Sequence, residues 1–559
     1  MTMKKILTCF FYILLMVIGM VSCQKDEQVS GKIRARLERC HNEDSKVSFD
    51  LTNGFRWQSG DQIRVCHTTS SGSNQVYTYT IDETSVENQA DYADFSLSSG
   101  ANATTSDGTG YYHAYYPASI RSTLTDMAEN VRITIPNTQT LTSDGKMQEI
   151  PMYAQSGNLE FSFKNLCGIL CLHLEGSNDD LVSSIIIKTD DSHPIAGVFN
   201  MQDANTQAPY ITAAQEGVSS PESYVTINCP SSGLGIGGSG RDFCIYLPTG
   251  DYPHMEITLT STSGKMCKKV FDGGGSSNAP AAINIARSCY TPIKFSNLEF
   301  KTVHLFSIGQ HSTVVFSPAN LQYDISNNEY RFAGNDYDYR GSANVTNLNN
   351  NSGVIDLFGW GTGAAPTTNS TDVADYPTTF VDWGNNQIKS ADGGTIYAAN
   401  TWRTLTQAEW QYLLSERSAS TVNSHQNARF AKAKVNDTRG LIIFPDKYVH
   451  PRGVTNPKYE SINGSGSEGW TSTSNNYSAN NWAAMKAAGA VFLPAAGYIK
   501  SDRTYSYGNL HGYYWSSTIH QTDNSLAFYL YFYESGIDYT NNMGRARQRG
   551  CSVRLVHDF

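Results

Sequence analysis

The sequence predicts a mainly β chain that ends in an α+β domain. Three observations carry this. Only 16% of residues are charged while 11% are aromatic, with 33 Tyr and 46 Gly, a balance that suits secreted β domains better than a cytosolic enzyme. From Lys46 onward the chain is a succession of short alternating segments separated by turn residues, the pattern of a β-sandwich. Past Lys301 two helix signatures appear among the strands. A length of 559 residues fits about three or four domains.

The elements follow in order. MTMKK is a positive start, and Ile6 to Met20 is an apolar run too short for a comfortable transmembrane helix. Residues 1–22 therefore read as a signal peptide. Met20-Val21-Ser22-Cys23 resembles a bacterial lipobox, which implies cleavage before Cys23, lipidation of its thiol and acyl anchoring to the outer membrane. Gln24-Lys25-Asp26-Glu27 resembles the surface-export signal of Bacteroidetes lipoproteins and implies display at the cell surface. Residues 23–45 are then a polar tether.

Next come VSFDL, QIRVCH, VYTYTI, VRITI, LEFSF, ILCLHL, SIIIKT, YVTINC, FCIYLP and MEITLT, each a strand by its alternation. Of 11 Cys, Cys9 leaves with the signal and Cys23 carries lipid, so an odd number remains and not all can pair within the chain. Cys167 and Cys171 share one strand face and read as small core hydrophobes rather than a metal pair. Gly233 to Gly238 spells a formal GxGxxG, but it precedes a strand and opens no helix, so it carries no nucleotide reading. Phe55 to Val65 (FRWQSGDQIRV) and Ile150 to Leu174 resemble the fimbrillin family of Bacteroidetes pilus subunits. The resemblance implies two tandem fimbrillin-like β-sandwich domains, over 46–158 and 159–300. It also implies association with other pilus subunits by strand addition. Release of an N-terminal segment by an Arg-specific protease is common in that family, and Arg34, Arg36 and Arg39 are the candidate positions here.

In residues 301–559, FSIGQHSTVVFSPANLQYDISNNEYRFAG reads as strands with an Asn-Asn turn. Thr406, with Glu409 three residues on, forms a capping box, and Trp410, Leu413 and Leu414 make the apolar face of the helix it starts. ARFAKAKVNDTRGLIIFP is a hairpin around Asn436-Asp437. A second helix runs from about Ala479 to a stop at Gly489, followed by a buried strand ending at Pro494. RTLTQAEWQYL is similar to the signature of formylglycine-generating-enzyme-like domains. YWSS and the closing SVRLV fit the related C-type-lectin-like domains of gut Bacteroidetes, some of which are variable proteins diversified by retroelements. The resemblance implies a C-type-lectin-like fold.

It does not carry the enzyme's chemistry across. That catalysis needs a pair of cysteines, and residues 301–559 hold only Cys551. His511, His520 and His557 show no metal-ligand spacing. Asp336-Tyr-Asp338 is a fragment of a calcium loop without the further ligands. No catalytic residue, metal or cofactor is expected. The lectin family's sugar motif is also absent.

What remains is a binding surface. In Tyr529 to Tyr533 (YLYFY), strand alternation puts Phe528, Leu530 and Phe532 on one face and three tyrosines on the other. Trp515, Val553 and Leu555 belong to the scaffold. Tyrosine with Ser, Asn and Gly is the composition of adaptable paratopes. The candidate ligand-binding residues are Tyr513, Ile519, His520, Tyr529, Tyr531, Tyr533, Asp538, Tyr539, Thr540, Asn542, Gly544, Arg547 and Arg549. All are reachable by adenine mutation of Asn-type codons, as retroelement diversification would require; Glu534, Met543 and Gln548 are not. The expected function is a surface pilus-tip adhesin whose ligand is a protein or glycan. The alternatives are a non-polymerising glycan-binding lipoprotein and, disfavoured by its cysteines, a formylglycine-type enzyme. A net charge of −10 and the absence of a basic stripe argue against a nucleic-acid partner.

Overall fold

A computed structural model of the chain describes residues 32–38, 57–68, 74–86, 92–99, 112–120, 132–147, 149–190, 192–202, 209–213, 222–273, 281–339, 353–464, 468–540 and 544–559. The signal peptide, Cys23, most of the tether, VSFDL, Arg39 and Asn542 lie outside the described residues. The chain divides into two compact units, Met1–Thr302 and Val303–Phe559. Both are built chiefly of strands, in keeping with the mainly β class. Among the described residues no helix is long and apolar enough to cross a membrane.

In the first unit the alternation is realised residue by residue. Ile63 and Val65 of Gln62–Thr68 are buried, as are Tyr77, Tyr79 and Ile81 of Asn74–Ile81. These strands lie at the centre of an eight-stranded sheet. Its spatial order is Lys164–Asn165, Met152–Ser156, Tyr112–Tyr116, Gln62–Thr68, Asn74–Ile81, Tyr92–Ser99, Lys32–Arg36, Glu160–Ser162. Trp57, from the FRWQSGD segment, packs edge-on against Phe95, Tyr116 and Phe163 and donates its indole N–H to the Ala35 carbonyl. Lys32–Arg36 is paired on both sides, antiparallel to Tyr92–Ser99 and parallel to Glu160–Ser162. Arg34 and Arg36 thus stand in hydrogen-bonded backbone, not in the unpaired chain that a protease prefers.

The same unit holds a second set of strands. Met266–Asp272, His254–Ser261, Leu181–Thr189, Tyr224–Asn228 and Thr138–Thr140 pair in that order, and Cys167–Leu174 lies between Arg241–Pro248 and Tyr290–Phe295. His254–Ser261 alternates half-buried and buried along its whole length. Cys167–Leu174 is buried almost throughout, as a strand covered on both faces must be. One apolar core runs from Ile33 to Leu298. Gly235, inside the GxGxxG string, pairs with Leu181 in a short strand contact. Cys171 is not a free core hydrophobe. It faces Cys244 in the antiparallel register and is disulfide-bonded to it, whereas Cys167 remains a buried thiol.

In the second unit the capping box is complete: Thr406 Oγ1 accepts from the Glu409 N–H at 3.2 Å, and Glu409 Oε2 accepts from the Thr406 N–H at 2.7 Å. The helix Gln407–Gln411 continues into a single π turn, Tyr412–Glu416, and buries Trp410, Leu413 and Leu414. Glu409 also receives both arms of the Arg403 guanidinium, at 2.9 and 2.7 Å. The hairpin Phe430–Val435 to Thr438–Ile443 turns at Asn436 and Asp437, which both take positive φ, 49° and 63°. That is the turn whose twist matches the strands. Ser478 caps the helix Ala479–Ala487, and Gly489 at φ 93° ends it. Asp336 is 2% exposed and held by Arg554 at 2.8 Å, Lys486 at 2.5 Å and the Trp482 indole at 3.3 Å. Its carboxylate is a scaffold anchor.

Candidate functional site

The tyrosine segment lies in the strand Leu526–Tyr533, paired antiparallel to His511–Ile519. Register sets Gly512 opposite Phe532 and Tyr514 opposite Leu530 on one face. On the other it sets His511 opposite Tyr533, Tyr513 opposite Tyr531 and Trp515 opposite Tyr529. The first face is core: Leu530, Phe532 and Tyr514 are 0% exposed and Phe528 is 5% exposed. Gly512 is required there, since a Cβ would meet the Phe532 ring at 2.1 Å.

The second face is a two-strand aromatic ladder. Tyr513 stacks on Tyr531 (4.7 Å, 18°) and Tyr531 on Tyr533 (5.0 Å, 16°). Offset stacking at such spacings adds to the area the rings bury. His511 joins them: its Nδ1 lies 2.9 Å from the Tyr531 hydroxyl and 3.2 Å from that of Tyr513. Burial and the neighbouring Arg545 charge hold His511 below the usual imidazole range, and burial pushes the Tyr531 phenol up.

The ladder is not the free surface that alternation alone implies. Tyr529, Tyr531 and Tyr533 are half-buried and Tyr513 is 3% exposed. Arg545 covers it. This residue enters on the short strand Arg545–Ala546, paired to Leu526–Ala527. Its guanidinium carbon sits 4.1 Å from the Tyr513 ring centre, 4.8 Å from Tyr529 and 4.4 Å from Tyr498, within cation–π range of all three. Tyr507 then stacks on His511 (4.4 Å, 26°) and lies parallel to Tyr498 (6.1 Å, 6°). Tyr507 is 47% exposed.

The other expected residues divide. Arg547 is corrected: it is 3% exposed, and its guanidinium donates to the Asn524, Tyr376 and Pro377 backbone carbonyls, so it clamps loops instead of offering charge. Tyr513 is likewise an internal member of the stack. Ile519 and Tyr539 pack against core clusters. His520 packs at a tilt against Phe528 (5.1 Å, 39°) and accepts from the Asp523 N–H. Asp538 accepts from the Thr540 N–H, and Thr540 is exposed. Gly544 takes φ 60° beside His520. Arg549 reaches toward Tyr498 at 5.7 Å. Tyr498, Tyr507 and Arg545 escaped the sequence reading, His511 was weighed there only as a metal ligand, and only the cluster RAR before Gln548 hinted at Arg545. Cys551 is buried, and burial pushes its thiol up to about 12, the reverse of a reactive thiolate.

Residues 467–556 match a family described as a domain of unknown function, DUF8237; the match takes in the ladder. No curated protein matches. Among solved structures the chain is similar to a candidate cell adhesion protein from Bacteroides ovatus (14% identity, 48% of this chain and 94% of that chain, TM-score 0.30). It is also similar to a fimbrial protein from Bacteroides ovatus (10%, 95% and 100%, TM-score 0.21). A third is a C-terminally truncated tip fimbrial protein from Porphyromonas gingivalis (9%, 48% and 97%, TM-score 0.20).

Proposed function

We propose that the chain is a surface-anchored adhesin of the fimbrillin type, carried at the end of a pilus, and that the aromatic ladder of residues 303–559 is its ligand-binding face. The observation that supports this most is the ladder itself. It combines half-exposed tyrosines with an arginine that makes no ion pair with a carboxylate among the described residues, and Phe528, Leu530 and Phe532 on the opposite face are buried. Tyrosine offers large contact area at small entropic cost, which is how binding surfaces are built. The lipobox-like Cys23 and the export-like Gln24 to Glu27 support anchoring at the outer membrane and display at the cell surface. The sandwich strands of the first unit support assembly with other pilus subunits by strand addition. The C-type-lectin-like reading of 301–559, and diversification of its tyrosine and polar positions, belong to the same proposal.

The test is localisation together with binding. Immunogold labelling at filament tips is the expected result, and labelling confined to bare membrane overturns tip placement. Loss of a captured ligand in Tyr533→Ala, with an unchanged melting curve, is expected of the binding face.

A further inference from the structure

We infer that the ladder is built for an acidic saccharide, with a ligand carboxylate seated at Arg545 and a sugar ring against Tyr507. The inference rests on the ladder being the binding face and adds the ligand's chemical class.

Four observations carry it. The first is the state of Arg545. Its Nε and Nη1 are buried and have no hydrogen-bond partner among the described residues, although a guanidinium is a rigid fork of donors that matches a carboxylate bidentately. Leaving charged donors unmet is costly, and rings alone do not satisfy N–H groups. The second is charge. Among the described residues Arg503, Arg545, Arg547 and Arg549 all approach this region, and none forms an ion pair with a carboxylate. Arg503 donates to the Asn369 side-chain oxygen and the Gln548 carbonyl, and Arg547 to backbone carbonyls. This leaves Arg545 and Arg549, the latter donating among the described residues only to Ser501 Oγ at 3.4 Å, both beside Tyr498.

The third is Tyr507. It is the exposed end of the stack, and it holds φ 60°, a left-handed conformation that bulky residues rarely take and that is retained where position matters. Its ring is one tyrosine away from the guanidinium: 6.1 Å to Tyr498, which lies 4.4 Å from Arg545. A single ligand carrying a flat apolar ring face and a carboxylate spans the two. The fourth concerns the competing occupant, an acidic peptide. Peptides gain most of their affinity at sheets by adding a strand to a free edge. Leu526–Tyr533 is already paired on one side by His511–Ile519 and over much of the other by Gly536–Asp538 and Arg545–Ala546. On the outer side of His511–Ile519, Trp515 and Ser517 donate to the Ser552 and Leu405 carbonyls and Tyr513 accepts from the Ser552 N–H, so the ladder offers a ring face and a cation but no long free edge.

The experiment uses the full chain on an array of oligogalacturonic acid, its methyl ester, a neutral galactose oligomer and poly-glutamate peptide, with Tyr533→Ala and Arg545→Gln alongside. The acid is expected to bind at least about tenfold more tightly than its ester, with affinity falling as salt rises. Arg545→Gln, with its fold checked by melting, should erase the difference between acid and ester. Equal binding of acid and ester by the unmutated chain overturns the inference without recourse to any variant, as does binding of poly-glutamate alone or of none of the probes. If a neutral ligand is held by the unmutated chain and lost in Tyr533→Ala but kept in Arg545→Gln, the binding face stands and only its acidic preference fails. If binding is indifferent to Tyr533, the face itself is wrong.

Discussion

The two faces of the strand Leu526–Tyr533 are made from similar side chains and have different fates. Phe528, Leu530 and Phe532 point into a core that leaves no more than 5% of any of them exposed. Tyr529, Tyr531 and Tyr533 stop half-way: Tyr531 stacks on Tyr533, Tyr529 lies tilted beside Tyr531, and Arg545 covers Tyr529. The difference is not one of ring size. The tyrosine face carries hydroxyls, an imidazole and a guanidinium, so closing it completely would require a partner for each polar group. Apolar area completes the first face. The second is left, among the described residues, with unmet donors at Arg545.

The comparison can be broken from its buried side. Asp336→Ala strands Arg554, 1% exposed, without its carboxylate. Breaking a buried pair of this kind costs about 3–5 kcal/mol, read as a fall in the urea midpoint of the C-terminal transition. Leu530→Ala empties a fully buried site and is expected to cost about 2–5 kcal/mol. On the tyrosine face the effects shrink. Tyr531→Phe removes the hydroxyl 2.9 Å from His511 and should cost about 0.5–1.5 kcal/mol. Tyr531→Ala additionally removes the centre of the stack, so it is not the stability-neutral probe that strand alternation alone suggests. Tyr533, at the end of the ladder, is the better probe.

The smallest expected effect is of pH. His511 titrates below 6.5 in the folded chain because of burial and the Arg545 charge. As pH falls below that value, the unfolded chain takes up a proton that the folded chain resists. This contribution to stability is therefore present above pH 6.5 and is lost on acidification. Melting midpoints between pH 7 and pH 5 should fall in the native chain and fall less in His511→Gln.

Elements governed by local rules were legible. The Thr406–Glu409 box, the Asn436-Asp437 turn, the stop at Gly489 and the in–out alternation around Leu530 each follow from a few adjacent residues. Elements made by distant segments were not. The Cys171–Cys244 disulfide depends on the register of two strands separated by 73 residues, and cysteine counting cannot supply a register. Arg545 looks like one of several arginines in a polar tail until the strand pairing at Leu526–Ala527 carries it over Tyr513. Arg547, two residues on, lies past that strand in a turn and spends its donors on backbone carbonyls. Of two arginines that read alike in sequence, one is a clamp and the other is the candidate site.

The most direct test of the division of labour is a paired measurement on Tyr533→Ala: unfolding free energy and ligand capture in one preparation. The account predicts an unfolding free energy within about 1 kcal/mol of the native chain together with loss of capture. Full capture by a normally folded variant, or a stability loss as large as that of Leu530→Ala, would contradict it.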